Sequence, residues 1–142
     1  MVEANLEDVA VAAGGSHFLL LLKTTEATPR VLPMVIDALQ AQSLLAARKG
    51  QTPPRPLTHD LFVSTLEMLN ATVKEVAIKS VEDGTFYADI LIDRAGMEFQ
   101  IDARPSDAVA LAVRTGATIH IDEAVLEDSA MEEDAGGETV EA

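Results

Sequence analysis

The sequence predicts an α+β domain, with a mixed, largely antiparallel sheet and about three main helices in a single domain. Short apolar runs with a period of two are separated by turn signals. Segments of helical period stand between groups of strands instead of alternating with them one for one, which disfavours a doubly wound parallel sheet. At 142 residues, 48% of them hydrophobic, the chain is long enough to bury its own core.

Each element has a local reason. Residues 2–12 alternate loosely, with Leu6, Val9 and Val11 apolar, and Ala13-Gly14-Gly15-Ser16 turns them into residues 18–23. Residues 24–29 turn again into a third strand, 30–36, in which Pro33 marks an edge or a bulge. Asp37 is placed to cap a helix over residues 38–49, and Gly50 to end it. Three prolines keep residues 51–56 extended. A second helix follows, with Thr58 as N-cap and Asn70 as stop. Its Leu61, Phe62, Leu66 and Leu69 have the spacing of a face buried against the core. Residues 72–81 and 85–93 form a hairpin about Asp83-Gly84, and Arg94-Ala95-Gly96 turns into a strand over 97–102. Pro105 suits the first turn of a third helix, which is apolar almost all round, with Ser106 able to cap and Gly116 to stop it. A short strand, 118–121, and a helical turn or two over 122–130 complete a domain of residues 1–130. Residues 131–142 read as an acidic, disordered tail.

Composition excludes several chemistries. With no cysteine there are no disulfides, zinc–thiolate sites or thiol nucleophiles. No purely apolar run, residues 18–22 included, is long enough to span a bilayer, and no secretory signal is visible, so a cytoplasmic protein without membrane association is expected. The net charge of −14 disfavours a nucleic-acid partner at first sight, but it is unevenly spread. Residues 1–121 hold 15 acidic and 10 basic side chains, whereas residues 122–142 hold nine acids and no Lys or Arg.

The most informative stretch is Asp102-Ala103-Arg104-Pro105-Ser106-Asp107 and the helix after it, a doubly charged start to a buried helix. The same phrasing occurs upstream as Arg55-Pro56-Leu57-Thr58-His59-Asp60. With Asp83-Gly84-Thr85-Phe86-Tyr87-Ala88 between them, these segments resemble the bifunctional nuclease (BFN) domain family of bacteria and plants. The likeness runs from about the first strand to Leu126. It implies a small α+β domain with DNase and RNase activity and a nucleic-acid substrate, though not an established set of catalytic residues.

Within that frame the residues offer two candidate groups. His59 beside Asp60 can act as general base, or the pair can contribute to a divalent metal site. The plainer alternative is that Asp60 complements the helix dipole while His59 lies exposed. The pair also occurs in the all-helical HD phosphohydrolases, but His17 and His120 sit in a loop and a strand, so that reading is rejected. In the second group, Asp102 and Asp107 can hold Mg or Mn together with Asp60, and Arg104 can clamp a phosphate bidentately, with Arg55 beside it. The plainer alternative is an Arg–Asp pair fixing a corner. The repeated pattern predicts that both helix starts face one cleft.

Some features point the other way. Family members commonly read Ile-Gly-x-x-Glu-Ala where this chain has Ile36-Asp37-Ala38-Leu39-Gln40-Ala41, and glutamine cannot serve as a base or an anionic ligand. Arg48, Lys49 and Arg55 form only a small basic group, and one tyrosine with four phenylalanines offers no platform for stacking bases. The leading expectation is therefore metal-assisted hydrolysis of phosphodiester bonds in DNA or RNA, with His59, Asp60, Arg104 and Asp107 as catalytic residues. The alternative is a non-catalytic anion-binding or regulatory oligomeric module. A homodimer or higher homo-oligomer is expected on either view.

Overall fold

Turn chemistry and strand alternation produce one sheet. In the computed structural model, which describes residues 1–50 and 53–132, the chain runs β1 (Val2–Val11), β2 (Phe18–Thr24), β3 (Arg30–Ile36), α1 (Ala38–Arg48), α2 (Thr58–Met68), β4 (Ala71–Glu82), β5 (Thr85–Arg94), β6 (Met97–Ala103), α3 (Pro105–Thr115), β7 (Thr118–Ile121), α4 (Glu123–Ser129) and β8 (Met131–Glu132). The strands form a single sheet in the order β6-β5-β4-β7-β1-β2-β3-β8. Every neighbouring pair is antiparallel except β4–β7, which is parallel. Four α-helices are present among the described residues where about three main ones were expected, the fourth being the short segment after β7.

The turns are those the sequence specifies. Asp83 and Gly84 both have positive φ, 51° and 79°, the backbone whose twist suits a two-residue hairpin loop. Ala95 and Gly96 repeat it between β5 and β6. Pro33 pairs with Leu21 of β2, and on its other side β8 covers only Arg30 and Val31. The missing N–H at Pro33 therefore falls on open edge. Met131 and Glu132, expected as the start of the tail, pair with β3 instead. Residues 133–142, which carry the rest of that expected tail, lie outside the described residues.

The core is built on α3. Its Ala108, Val109, Ala110, Leu111 and Ala112 are all buried, together with Ala41 and Leu44 of α1, Val125 and Leu126 of α4, and alternate residues of β2, β3, β4, β5 and β7. The alanines let neighbouring elements approach closely, and α3 touches α1, α2, β4, β5 and β7.

Helix α2 differs from expectation. No residue of it is buried, and Leu61, Phe62 and Leu69 are exposed, while Val63 and Leu66 pack partly against the core. The helix is turned so that His59 and Asp60 face its neighbours and hydrogen-bond to α1 and α3. Two caps also differ. Leu57, not Thr58, is the N-cap of α2, and Asp60 at the third helical position accepts the Leu57 N–H at 2.9 Å. Arg104 is the N-cap of α3, and Ser106 is buried without capping.

The contrast between core and surface is measurable. Leu44→Ala should cost about 3 kcal/mol by urea unfolding, since it opens a cavity at a fully buried site. Leu39→Ala, at an exposed site on the same helix, should stay within about 0.5 kcal/mol. Equal losses in the two variants would contradict this placement of α1.

Candidate functional site

Three helix starts meet at one cleft. Asp37 and Gln40 come from the first turn of α1, Leu57, Thr58 and His59 from the start of α2, and Arg104, Ser106 and Asp107 from the start of α3. Leu39, Gln42 and Ser43 complete the lining of an open cleft of about 420 Å³, within the usual range for a small-ligand site. The two Arg-Pro helix starts thus face the same space, and α1 adds a third. Each helix N-terminus brings unpaired N–H groups and the positive end of its dipole, which suits an anion.

The first turn of α1 explains Gln40. Asp37 Oδ1 accepts the Gln40 N–H at 2.8 Å, and Gln40 Oε1 accepts the Asp37 N–H at 2.7 Å, a reciprocal capping box. With Oε1 committed to a backbone donor, the amide Nε2 must be the atom facing Ser106, and it donates to that buried hydroxyl at 2.6 Å.

A continuous hydrogen-bonded chain crosses the three helices. Arg104 donates to both oxygens of Asp107, from Nε at 2.8 Å and from Nη2 at 3.2 Å. Asp107 Oδ1 lies 2.8 Å from His59 Nε2, and His59 Nδ1 lies 2.6 Å from Ser43 Oγ. On the far side of Ser43, Arg114 Nη2 reaches both the Ser43 carbonyl and its Oγ at 3.3 Å. Arg114 also donates from Nε to Asp60 Oδ1 at 2.8 Å and from Nη1 to the Ala110 carbonyl at 3.1 Å.

Charge settles the proton positions. Burial alone raises the Asp107 carboxyl, but the hydrogen bonds from Arg104 and His59 outweigh it and hold it below the ordinary carboxylate range. Asp107 is therefore ionised and can only accept, so Nε2 of His59 carries a proton. In the neutral imidazole Nδ1 is then the acceptor, and it takes the Ser43 O–H. Asp60 is likewise held low, chiefly by the Arg114 guanidinium and next by the Leu57 N–H.

His59, Asp60, Arg104 and Asp107 thus belong to one network, although Asp60 faces Arg114 and not the cleft. Asp102 stands apart. It is exposed and pairs in register with Asp89, which alternates with the core-facing Ala88 and Ile90, so it lies on the opposite face of the sheet. There Asp89 is bound by Lys79 and Gln100. Arg55 is exposed and does not line the cleft, and Arg48 is engaged by Asp8 and the Glu7 carbonyl. The donor set expected for Mg or Mn does not fit: Asp102 is on the wrong face, and both oxygens of Asp60 and of Asp107 already accept N–H donors. Among the described residues no group of three His, Cys, Asp or Glu side chains is placed to hold a metal ion.

Sequence reasoning missed Ser43 and Arg114. Arg114 carries a signal, because it stands seven residues after Asp107, two turns along the same face of an otherwise apolar helix. Ser43 is three residues after Gln40 on one face of α1, a spacing that by itself singles out nothing.

Removing Asp60 tests the inner half of the network. Asp60→Asn should destabilise the fold by about 2 kcal/mol at pH 7, because Arg114, only 8% exposed, loses its counter-charge. A carboxyl depressed in the folded state contributes stability that is complete above its unfolded value of about 3.9 and is lost as pH falls through the lower folded value. The gap between wild type and variant in thermal or urea unfolding should therefore close below about pH 4. A gap constant with pH would contradict this role.

Comparison with known proteins finds relatives by sequence. The profile of the Bifunctional nuclease domain family matches residues 20–134. An uncharacterized protein of Mycobacterium tuberculosis is 39% identical over 126 residues, covering 89% of this chain and 74% of its own length. Bifunctional nuclease 1 of Oryza sativa subsp. japonica is 24% identical over 123 residues, 84% of this chain and 37% of its own. Bifunctional nuclease 2 of Arabidopsis thaliana is 23% identical over 108 residues, 74% of this chain and 33% of its own. The chain thus spans about a third of the length of these plant relatives. It is a member of the bifunctional nuclease domain family.

Proposed function

We propose that this domain hydrolyses phosphodiester bonds of DNA or RNA in the cleft where α1, α2 and α3 begin. The observation that carries the reading is the chain Arg104–Asp107–His59–Ser43, which places an oriented imidazole and a guanidinium side by side at three helix N-termini. Asp107 holds His59 in the tautomer whose Nδ1 can take a proton, and stabilises the imidazolium that results. Arg104, 63% exposed, spends Nε and Nη2 on Asp107 and keeps Nη1 for a phosphate oxygen. The helix N-termini add donors for the charge that grows on the phosphorus oxygens. Family membership and the names of the plant relatives support the same substrate class.

The test is cleavage of labelled single- and double-stranded DNA and RNA by the purified protein. His59→Ala and Asp107→Ala should each lower the rate by about 10²- to 10⁴-fold. Asp102→Asn, on the other face of the sheet, should cleave at the wild-type rate. Parallel reactions with Mg²⁺, with Mn²⁺ and with a chelator read the metal requirement directly. Full activity in both cleft variants would remove the cleft from the chemistry.

A second reading, an oligomeric module, is favoured by a separate observation. Leu61, Phe62 and Met68 of α2, its C-cap Leu69, and Met97, Phe99 and Ile101 of β6 are exposed apolar side chains. The β6 residues lie opposite Arg94, Ile92 and Ile90, on the side of the sheet that carries the core. A homodimer or larger assembly covers such surface. Light scattering at micromolar concentration should return at least twice the monomer mass, and Leu61→Glu with Phe62→Glu should return the monomer. A wild-type monomer would end this reading and leave the catalytic one intact.

A further inference from the structure

We propose that Ser43 is the attacking nucleophile of this cleft, forming a serine phosphodiester that water then resolves. The inference rests on the nuclease reading above and names its first chemical step. Ser43 is half-buried and lines the cleft, so a substrate reaches it. Its Oγ lies 2.6 Å from His59 Nδ1, hydrogen-bond distance for a nucleophile and its base. The other ring nitrogen is bound to Asp107, which leaves Nδ1 as the lone-pair side. This is the serine–histidine–aspartate arrangement with the two imidazole nitrogens exchanged. The exchange preserves the chemistry, since either nitrogen can carry the proton while the other accepts one.

Arg114 supplies a second and independent argument. Its guanidinium donates to Ser43 Oγ at 3.3 Å, so the hydroxyl accepts from a cation while donating to an imidazole. The cation favours negative charge developing on Oγ, and the imidazole is placed to take the proton as the new bond to phosphorus forms. The other hydroxyls of the cleft are placed differently. Ser106 is buried and receives the Gln40 amide, and Thr58 lies on the exposed first turn of α2.

The proton inventory closes. In the first step the Ser43 O–H proton passes to His59 Nδ1, an Oγ–P bond forms, and the P–O bond to the departing sugar oxygen breaks. Displacement is in line, so the departing oxygen lies opposite Ser43, away from His59, and takes its proton from solvent. In the second step a water oxygen attacks phosphorus from that open side and releases a proton to solvent. The Oγ–P bond breaks, and His59 returns its proton to Ser43. The net change is one phosphodiester and one water converted to an alcohol and a phosphomonoester, with no oxidant or reductant.

The experiment uses the full chain and a fluorophosphonate probe, which forms a stable phosphonyl–serine bond by the same attack. Mass spectrometry should find one adduct, on the peptide containing Ser43, and His59→Ala should slow its formation at least 100-fold. In the cleavage assay Ser43→Ala should lose activity as fully as His59→Ala does, with circular dichroism confirming a retained fold. Wild-type cleavage in Ser43→Ala beside an inactive His59→Ala would overturn the proposal and leave the nuclease reading standing, with His59 activating water directly. A Ser43 adduct in a protein that cleaves no nucleic acid would keep the nucleophile and sink the nuclease reading. An adduct confined to other residues would also overturn the proposal.

Discussion

The arrangement of the helices depends on where one buried guanidinium finds its partners. Arg114 is 8% exposed, and taking an unpaired charge of that kind from water costs several kcal/mol. Its hydrogen bonds go to the Ala110 carbonyl of its own helix, to Asp60 of α2 and to the Ser43 carbonyl and hydroxyl of α1. One side chain thus ties three helices together. Helix α2 needs this tie most, since it buries no residue and joins the body through Val63, Leu66 and the three hydrogen bonds of His59 and Asp60 to α1 and α3. The same tie brings His59 to within reach of Ser43 and Asp107. Fold and site therefore share a single constraint, and weakening the Arg114–Asp60 pair loosens both.

That dependence explains why α2 defied its sequence pattern. The spacing of Leu61, Phe62, Leu66 and Leu69 is that of a helix buried on its apolar face, and periodicity counts only apolar side chains. It cannot weigh an apolar stripe against two charged or polar contacts whose partners lie 48 and 54 residues away. Where local patterning alone decides, the reading was faithful. Strand 30–36, strand 118–121, the Asp83-Gly84 hairpin and the Asp37 and Gly116 caps all follow from neighbouring residues. The Arg-Pro repetition was informative for a related reason. Two helices with the same charged starts, packed against the same sheet, carry those starts to one end. Asp102 escaped that logic because a strand turns successive side chains to opposite faces. Helix α3 begins beyond the strand end, so nothing local ties Asp102 to the side on which Asp107 emerges. Ser43 was invisible for the converse reason, since its role exists only once α1, α2 and α3 have met, and the position of Arg114 on α3 gave no sign of its partners on α1 and α2.

The glutamine that departs from the family pattern can now be judged on its contacts. Gln40 Oε1 accepts the Asp37 N–H, and Nε2 donates to Ser106. A glutamate here would keep the first bond through one oxygen and reverse the second, with Ser106 donating to the other. Either residue satisfies the buried hydroxyl, so the exchange leaves the packing of α1 on α3 intact. What changes is charge. The cleft already holds Asp37 and the ionised Asp107 against Arg104 and the helix N-termini. A third carboxylate at Gln40 would set another negative charge beside the place where the proposed substrate's phosphate would sit, at a repulsion of about 1 kcal/mol even through water-like screening. On the proposed route through Ser43 and His59, the neutral amide would ease the approach of an anionic substrate. The departure that looked like a loss of catalytic capacity is then compatible with this chemistry, because neither the base nor the nucleophile depends on a carboxylate at position 40.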